Sequence, residues 1–184
     1  MELNERELTD FINKFRDRVF RTCLGFVQDT DDASDLTQEV FLAVIESLHT
    51  YRSESKLETW MYRIAVNKSL NFLRKRKMKA MFRNIDNLVF GREKKEIPQA
   101  SYNPGEMREN SEEARFLLAH ALRKLPNNQR IAFTLSKYDE MSNERIAHIM
   151  DVSLSAVESL QHRAKRNMQN TIRTFTKIKF TENE

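Results

Sequence analysis

The chain has one cysteine, three glycines and three prolines in 184 residues, and no apolar run approaches the roughly 20 residues that span a bilayer. The single Cys23, set among Phe20, Leu24 and Val27, cannot close an internal disulfide and suits buried packing rather than chemistry. Scarce Gly and Pro leave little to interrupt helices, while Leu, Lys, Arg, Glu and Met are plentiful, so an all-α architecture is expected. The amino terminus, Met1-Glu-Leu-Asn-Glu-Arg-Glu, lacks the cationic start and apolar core of a secretory signal, which predicts a cytoplasmic chain without membrane insertion. Enzyme classes find little support. His49, His120, His148 and His162 show no metal-ligand spacing, there is no glycine-rich phosphate loop, and no cofactor is implied.

Charge of one sign is missing from two stretches. No Lys or Arg occurs between Arg21 and Arg52, where Asp29, Asp31, Asp32, Asp35, Glu39 and Glu46 all fall. No acid occurs from Ser159 to Thr181, a region holding Arg163, Lys165, Arg166, Arg173, Lys177 and Lys179. The formal net charge is only +4, so the distribution is what informs. Basic patches suit phosphate, whereas an acidic helix is repelled by DNA and fits a basic protein partner. Charge segregated for solubility is the competing account.

What is present is helical periodicity. Leu8, Phe11, Ile12, Phe15, Val19 and Cys23 make one stripe of a helix from about Glu5 to Val27. A second helix starts near Asp31, whose acidic first turn suits the positive end of the helix dipole, and carries Leu36, Val40, Phe41, Val44 and Leu48. From Glu58 to Lys79, Arg63, Asn67, Asn71 and Arg74 share one polar face, while Trp60, Met61, Ile64 and Ala65 begin an apolar one. Cations bind phosphate and amides bond base edges, and Tyr51, Trp60 and Tyr62 offer stacking surfaces to unpaired bases. Core packing of Trp60 and a merely solvated basic run from Arg74 to Lys79 stay open at this point. Met81, Ile85, Leu88 and Val89 suggest a further amphipathic turn or two.

From Gly91 to Ser111, Pro98, Pro104 and Gly105 among mixed charges leave no stripe, which predicts a connector between two domains, 1–90 and 112–184. Beyond it, Ala114, Leu117, Leu118, Ala121, Leu122 and Leu125 form an apolar face stopped by Pro126. A helix from about Asn128 to Tyr138 follows. Ser142 caps the next, and the turn Asp151-Val-Ser153 leads to a longer one, which together make a helix-turn-helix. Val157, Leu160, Ala164 and Met168 form its inward seam, leaving Ser155, Glu158, Ser159, His162 and Arg166 outward, where such a motif enters a major groove. A plain helical hairpin in a bundle is the alternative.

Asp35-Leu-Thr-Gln-Glu-Val-Phe-Leu42, Thr59-Trp-Met-Tyr-Arg-Ile-Ala-Val-Asn67, Ala121-Leu-Arg-Lys-Leu-Pro126 and Arg163-Ala-Lys165 resemble signatures of bacterial sigma factors of the sigma-70 family, extracytoplasmic-function (ECF) group. The resemblance implies two domains, region 2 and region 4, with no region 3 domain between them. It implies that Asp32, Asp35, Gln38, Glu39 and Leu42 dock on the clamp helices of the RNA polymerase beta-prime subunit. By the same resemblance, Arg52, Lys56, Trp60, Arg63, Asn67, Lys68, Asn71, Arg74 and Lys75 hold the nontemplate strand of the −10 promoter element, the loop from Arg52 to Leu57 helping to cradle a flipped base. Ser153, Ser155, Ala156, Glu158, Ser159, His162, Arg163 and Arg166 would read the −35 element, with region 4 resting on the beta-subunit flap. The function implied is transcription initiation on promoter DNA with core RNA polymerase; whether an anti-sigma factor restrains the chain stays open.

Three departures stand out. Asp151 fills a turn position often held by Gly, Arg145 replaces a Glu that would complete a capping box with Ser142, and Glu158 stands where many members carry a cation. A carboxylate at 158 cannot hold phosphate or guanine but accepts from cytosine N4, so the family's −35 preference does not transfer. A dimeric helix-turn-helix repressor that is not a sigma factor would use the second domain similarly but needs neither the acidic helix nor the Trp60 segment; a purely protein-binding helical scaffold is a further alternative. As a flexible coil the connector has an r.m.s. span of roughly 25 Å, against roughly 70 to 100 Å for two to three turns of DNA, so both promoter elements should be reached only on polymerase.

Overall fold

The computed structural model of the chain describes residues 4–90 and 111–181, with side chains described for 4–82 and 114–176. The described elements are α1 (Glu5–Val27), α2 (Thr30–Ser47), a 3-10 turn (Leu48–Thr50), α3 (Leu57–Phe90), α4 (Ser111–Lys124), α5 (Asn127–Lys137), α6 (Asn143–Met150) and α7 (Leu154–Thr181). The architecture is all-α. Of the expected connector, only Ser111 lies within the described residues, where it opens α4.

Local chemistry sets the helix ends. Asn4 accepts from the Glu7 N–H and the Glu7 carboxylate returns to the Asn4 N–H, both at 2.9 Å, a complete capping box for α1. α2 begins one residue before the expected Asp31, because Asp29 caps it by accepting from the N–H groups of Asp31 and Asp32. Pro126 stands at the start of α5, where its missing N–H costs nothing. Asp151 takes the left-handed conformation at φ 55°, so the helix-turn-helix bend is kept without glycine. α3 departs from expectation. It runs unbroken to Phe90, with no break after Lys79, so Met81 belongs to the same helix; the side chains of Ile85, Leu88 and Val89 lie outside those described.

The larger departure concerns the core. Phe15, Val19, Cys23 and Phe26 of α1 pack with Leu36, Val40 and Val44 of α2 and Met61, Tyr62, Ala65 and Val66 of α3, but the same apolar cluster continues into Ile131, Ala132, Leu135, Met141, Ile146 and Ile149. α5 lies on α1 and α6 on α3. A second, smaller cluster joins Ala121, Leu122 and Leu125 of α4 to Ala164 and Met168 of α7. The two units anticipated from the sequence are thus packed face to face.

Two features mark this contact. A Cβ built on Gly25 of α1 would lie 2.5 Å from Thr134 Cγ2 of α5, so the helices approach as only glycine allows. Beyond α5, the buried Asp139 accepts from Tyr62 Oη at 3.0 Å and from Thr22 Oγ1 at 2.8 Å, and its backbone carbonyl accepts from Arg18 Nη2 at 3.1 Å. Burial pushes the Asp139 carboxyl above its ordinary value, against the hydroxyl donors and the Arg18 charge that favour its anion.

Candidate nucleic-acid interface

α2 buries Ala33, Leu36, Val40 and Val44 and so turns Asp35, Gln38, Glu39 and Leu42 to solvent. Between this face and α1 runs an open groove of about 560 Å³ lined by Ile12, Phe20, Phe41, Leu42 and Ile45, with Gln38 and Asp17 at its polar margin. Leu42 is 57% and Ile45 44% exposed, which leaves the groove with an exposed apolar surface. Asp32 differs from its neighbours. Its Oδ2 lies 2.9 Å from Arg76 Nη1 of α3, so this acid is already paired within the chain. Glu39 approaches Lys68 only to 3.9 Å, a surface pair worth little.

On α3, Asn67, Asn71, Arg74 and Lys75 are exposed, Arg63 and Lys68 half-buried, and Asn71 Oδ1 accepts from Arg74 Nη1 at 3.2 Å. Trp60 is half-buried and tilted against Tyr51 with ring centroids 5.3 Å apart. Arg52 and Lys56 are exposed at the preceding loop, which Tyr51 holds by donating from its hydroxyl to the Ser55 carbonyl. Tyr51, Arg52, Glu54, Ser55, Trp60 and Arg63 line a cavity of about 220 Å³. That is below the ~300 Å³ where drug-sized pockets begin, and suits one flat ring. One wall comes from elsewhere: His148 of α6.

Tyr62 corrects the stacking expectation. It is fully buried, its hydroxyl is bonded to Asp139, and Arg18 and Arg145 lie 6.0 and 5.9 Å from its ring centroid, so it presents no face to a base here. Tyr51, 8% exposed, supports Trp60 rather than standing free.

In the helix-turn-helix, Val157, Ala164 and Met168 are buried, and Ser155, Glu158, Ser159, His162, Arg163 and Arg166 are exposed along one side of α7. Ser153 is engaged locally, its Oγ accepting from the Ala156 N–H at 3.2 Å, and Ala156 is half-buried. Gln161 donates to Asn143 Oδ1 at 2.9 Å, pinning α7 to α6, and Asn167 donates to Gln129 Oε1 at 2.8 Å, pinning it to α5. The exposed row of α7 is therefore tied to both α5 and α6. Among the described residues no helix is long and apolar enough to cross a membrane, and no group of three or more His, Cys, Asp or Glu could hold a metal ion.

Sequence reasoning missed Thr22, Gly25, Glu58, Thr134, Asp139 and His148. Each looks locally ordinary: a glycine inside a helix, an acid in a polar turn, a histidine on a helix flank. Arg145 carried a signal, since a cation replaces the acid expected there; its Nη2 lies 3.0 Å from Glu58 Oε1, though without hydrogen-bond alignment.

Residues 11–78 match the family model of sigma-70 region 2, and residues 115–168 that of sigma-70 region 4. The chain is 34% identical over 146 residues to the ECF RNA polymerase sigma-E factor of Escherichia coli strain K12, covering 77% of this chain and 74% of that protein. It is 25% identical over 167 residues to the ECF RNA polymerase sigma factor SigW of Bacillus subtilis strain 168, covering 89% and 88%. Two solved structures share the fold. The sigma factor RpoE of Bartonella quintana, crystallised with the anti-sigma factor NepR, superposes with a TM-score of 0.69 at 18% identity over 91% of this chain and 98% of that one. CnrH, in complex with the cytosolic domain of CnrY, gives 0.65 at 18% identity over 93% and 90%.

Proposed function

Because the chain belongs to the ECF group of sigma-70 RNA polymerase sigma factors, which direct core polymerase in transcription initiation, we propose that three of its helix faces divide that task. Residues 1–90 dock on polymerase and hold the −10 element, 91–111 connect, and 112–184 read the −35 element. Asp35, Gln38, Glu39 and Leu42 meet the beta-prime clamp helices. Asp32 stiffens the base of that face through Arg76 rather than reaching the partner itself.

The observation that carries this reading is the exposed acid row of α2 beside an apolar groove. Residues 22–51 hold no Lys or Arg, so nothing on that segment neutralises Asp35. The face repels DNA and attracts a basic helix, whose apolar side Leu42 and Ile45 can cover. An anti-sigma factor that competes for this groove belongs to the same proposal; RpoE of Bartonella quintana forms a complex with the anti-sigma factor NepR.

On α3, Arg63, Lys68, Arg74 and Lys75 attract the phosphates of the nontemplate strand, and Asn67 and Asn71 bond base edges. The cavity beside Trp60 receives one base out of the stack. Flipping costs a few kcal/mol of unstacking, which ring contact and phosphate attraction together offset. Arg52 and Lys56 bring charge to its mouth. On α7, Ser155, Ser159, His162, Arg163 and Arg166 face the −35 groove and Glu158 accepts from a cytosine, while region 4 rests on the beta flap. The chain works in the cytoplasm, where polymerase is.

Reversing charge at Asp35 and Glu39 together should weaken binding to core polymerase at least tenfold in a titration, and promoter-specific transcription with it, at unchanged helical content. Unaltered affinity would sink the docking assignment.

A further inference from the structure

We propose that α3 carries its DNA contact past the strand-holding face: its turns from Met78 to Phe82 sit in the major groove of the promoter duplex just upstream of the −10 element and favour thymine there. The proposal rests on the reading of Asn67 and Asn71 as contacts to the −10 strand.

The match to region 2 ends at residue 78, whereas α3 runs on unbroken to Phe90, so most of this segment lies outside the matched region. Met78, Met81 and Phe82 are 49%, 54% and 56% exposed. At spacings of three and four they form one contiguous patch, turned away from the core that α3 meets through Ala65, Val66, Ser69 and Leu73. Single apolar residues on a surface need no explanation, but large ones grouped together mark a contact.

Pattern and charge pick the partner. Asn67, Asn71, Arg74, Met78 and Met81 follow one another at spacings of four and three, so the patch continues the strand-holding row in register. From Thr59 to Ile85 there is no Asp or Glu. Around the helix axis, Met81 and Phe82 lie about −60° and about +40° from Met78, Lys77 about −100°, and Lys75 and Lys79 about +60° and about +100°. Exposed cations therefore border the apolar stripe on both sides. A major groove has the complementary form, with base edges at its floor, a phosphate ridge along each wall, and a width of about 12 Å that admits a helix. A second copy of this chain would instead set cation against cation. A membrane or an acidic protein would have to occupy the place where the duplex leaves the strand that α3 holds.

Chemistry decides what is read. Met and Phe side chains bring no hydrogen-bond donor to a base edge, and the apolar group a major groove offers is the thymine C5-methyl. Helix rise gives the position. Met78 is seven residues past Asn71 (78 − 71) and Phe82 fifteen past Asn67 (82 − 67). Those separations are about 10 Å and about 22 Å along the axis. At about 3.4 Å per base pair, the window lies about three to seven base pairs beyond the bases those amides bond. It lies upstream, because the chain continues from α3 to the unit that reads the −35 element.

Replacing thymine by deoxyuridine removes the methyl and leaves every hydrogen-bonding edge in place, which isolates this contact. The templates are a promoter that the parent holoenzyme opens, with T·A pairs filling the window on each strand in turn. Exchange of dT for dU there should lower holoenzyme affinity by about fourfold for each methyl in contact. Met81→Ala with Phe82→Ala should abolish that sensitivity while core binding and −10 preference stay at parent levels. Lys77→Ala and Lys79→Ala should keep the sensitivity, weaken binding to every template and reduce the salt slope by about one each. Equal affinity of the parent holoenzyme for thymine and uracil windows overturns the proposal, as does uracil sensitivity that survives in the Met81→Ala, Phe82→Ala chain. So does a loss of core-polymerase or anionic-vesicle binding by that chain with no change on DNA, which would assign the patch to protein or lipid. Failure of the strand-holding reading shows separately, as parent-level opening by Asn67→Ala, Asn71→Ala, because the window exchange leaves the −10 sequence untouched.

Discussion

Replacing Asp139 with Ala isolates the polar centre of the contact between the two halves. The carboxylate accepts from Thr22 and Tyr62 and pairs with Arg18, 3.5 Å from its Nε. In Asp139→Ala, Thr22 can still donate to the Arg18 carbonyl at 2.9 Å, and Arg18 keeps Glu58. Tyr62, fully buried, loses its carboxylate acceptor and keeps only the Thr22 hydroxyl beside it. Loss of its carboxylate acceptor costs a buried hydroxyl up to about 1–3 kcal/mol, which weakens the contact between the two halves by up to roughly 5- to 150-fold. The exposed part of the Arg18 interaction adds little. Asp139→Asn should be milder, within about 1 kcal/mol, because its carbonyl still accepts from Tyr62 and Thr22 can accept from its amide. Adding Tyr62→Phe to Asp139→Ala should restore part of the loss, since the stranded hydroxyl is gone. Hydrogen exchange of the α1 and α3 amides, with Trp60 quenching, measures all four chains as a double-mutant cycle. Equal effects of Ala and Asn at 139, with no coupling to Tyr62, would refute the reasoning.

Replacing Asn67 and Asn71 with Ala should reduce open-complex formation more than core binding; identical permanganate footprints of the melted region in variant and parent would move strand capture to another element. Burial raises the Asp139 carboxyl, so the chain with its two halves packed binds that proton more tightly than one with them apart. The stability this contributes is fully present below the ordinary carboxyl value and lost as pH rises through the raised one. Acidifying from neutral toward the ordinary carboxyl range should therefore strengthen the contact between the halves in the parent relative to Asp139→Asn, with Arg18, Glu58, Arg145, Tyr62 and Cys23 as the other titratable or charged groups around that site; parallel Trp60 quenching curves would contradict it. Burial pushes the Cys23 thiol up to about 12, so iodoacetamide at mildly alkaline pH should alkylate the native chain roughly 100-fold or more slowly than the unfolded one, and comparable rates would contradict its burial.

Much of this molecule was legible along the chain because helices are local. The stripe of Phe15, Val19 and Cys23, the Ser142 cap, the left-handed Asp151 and the outward row on α7 each follow from residues within a few positions of one another. Thirty-four residues of α3 were harder: the basic run after Arg74 carries few buried positions, so periodicity faded although backbone bonding continued to Phe90. The acidic and basic faces were also readable, yet not that Arg76 would close on Asp32 across 44 positions.

What the sequence by itself determined is the set of helices, the capped ends among them, the side each turns to water and the family signatures they carry. Only the tertiary structure decided that Thr22 would find Asp139 117 positions away, that Gly25 would be the floor under Thr134, and that His148 would wall the Trp60 cavity. The reason is physical. Helix formation and amphipathicity depend on spacings of three and four residues, which any short window contains. The docking of one helical unit on another depends on shape and unpaired polar groups brought together from distant positions, and no local window holds both partners.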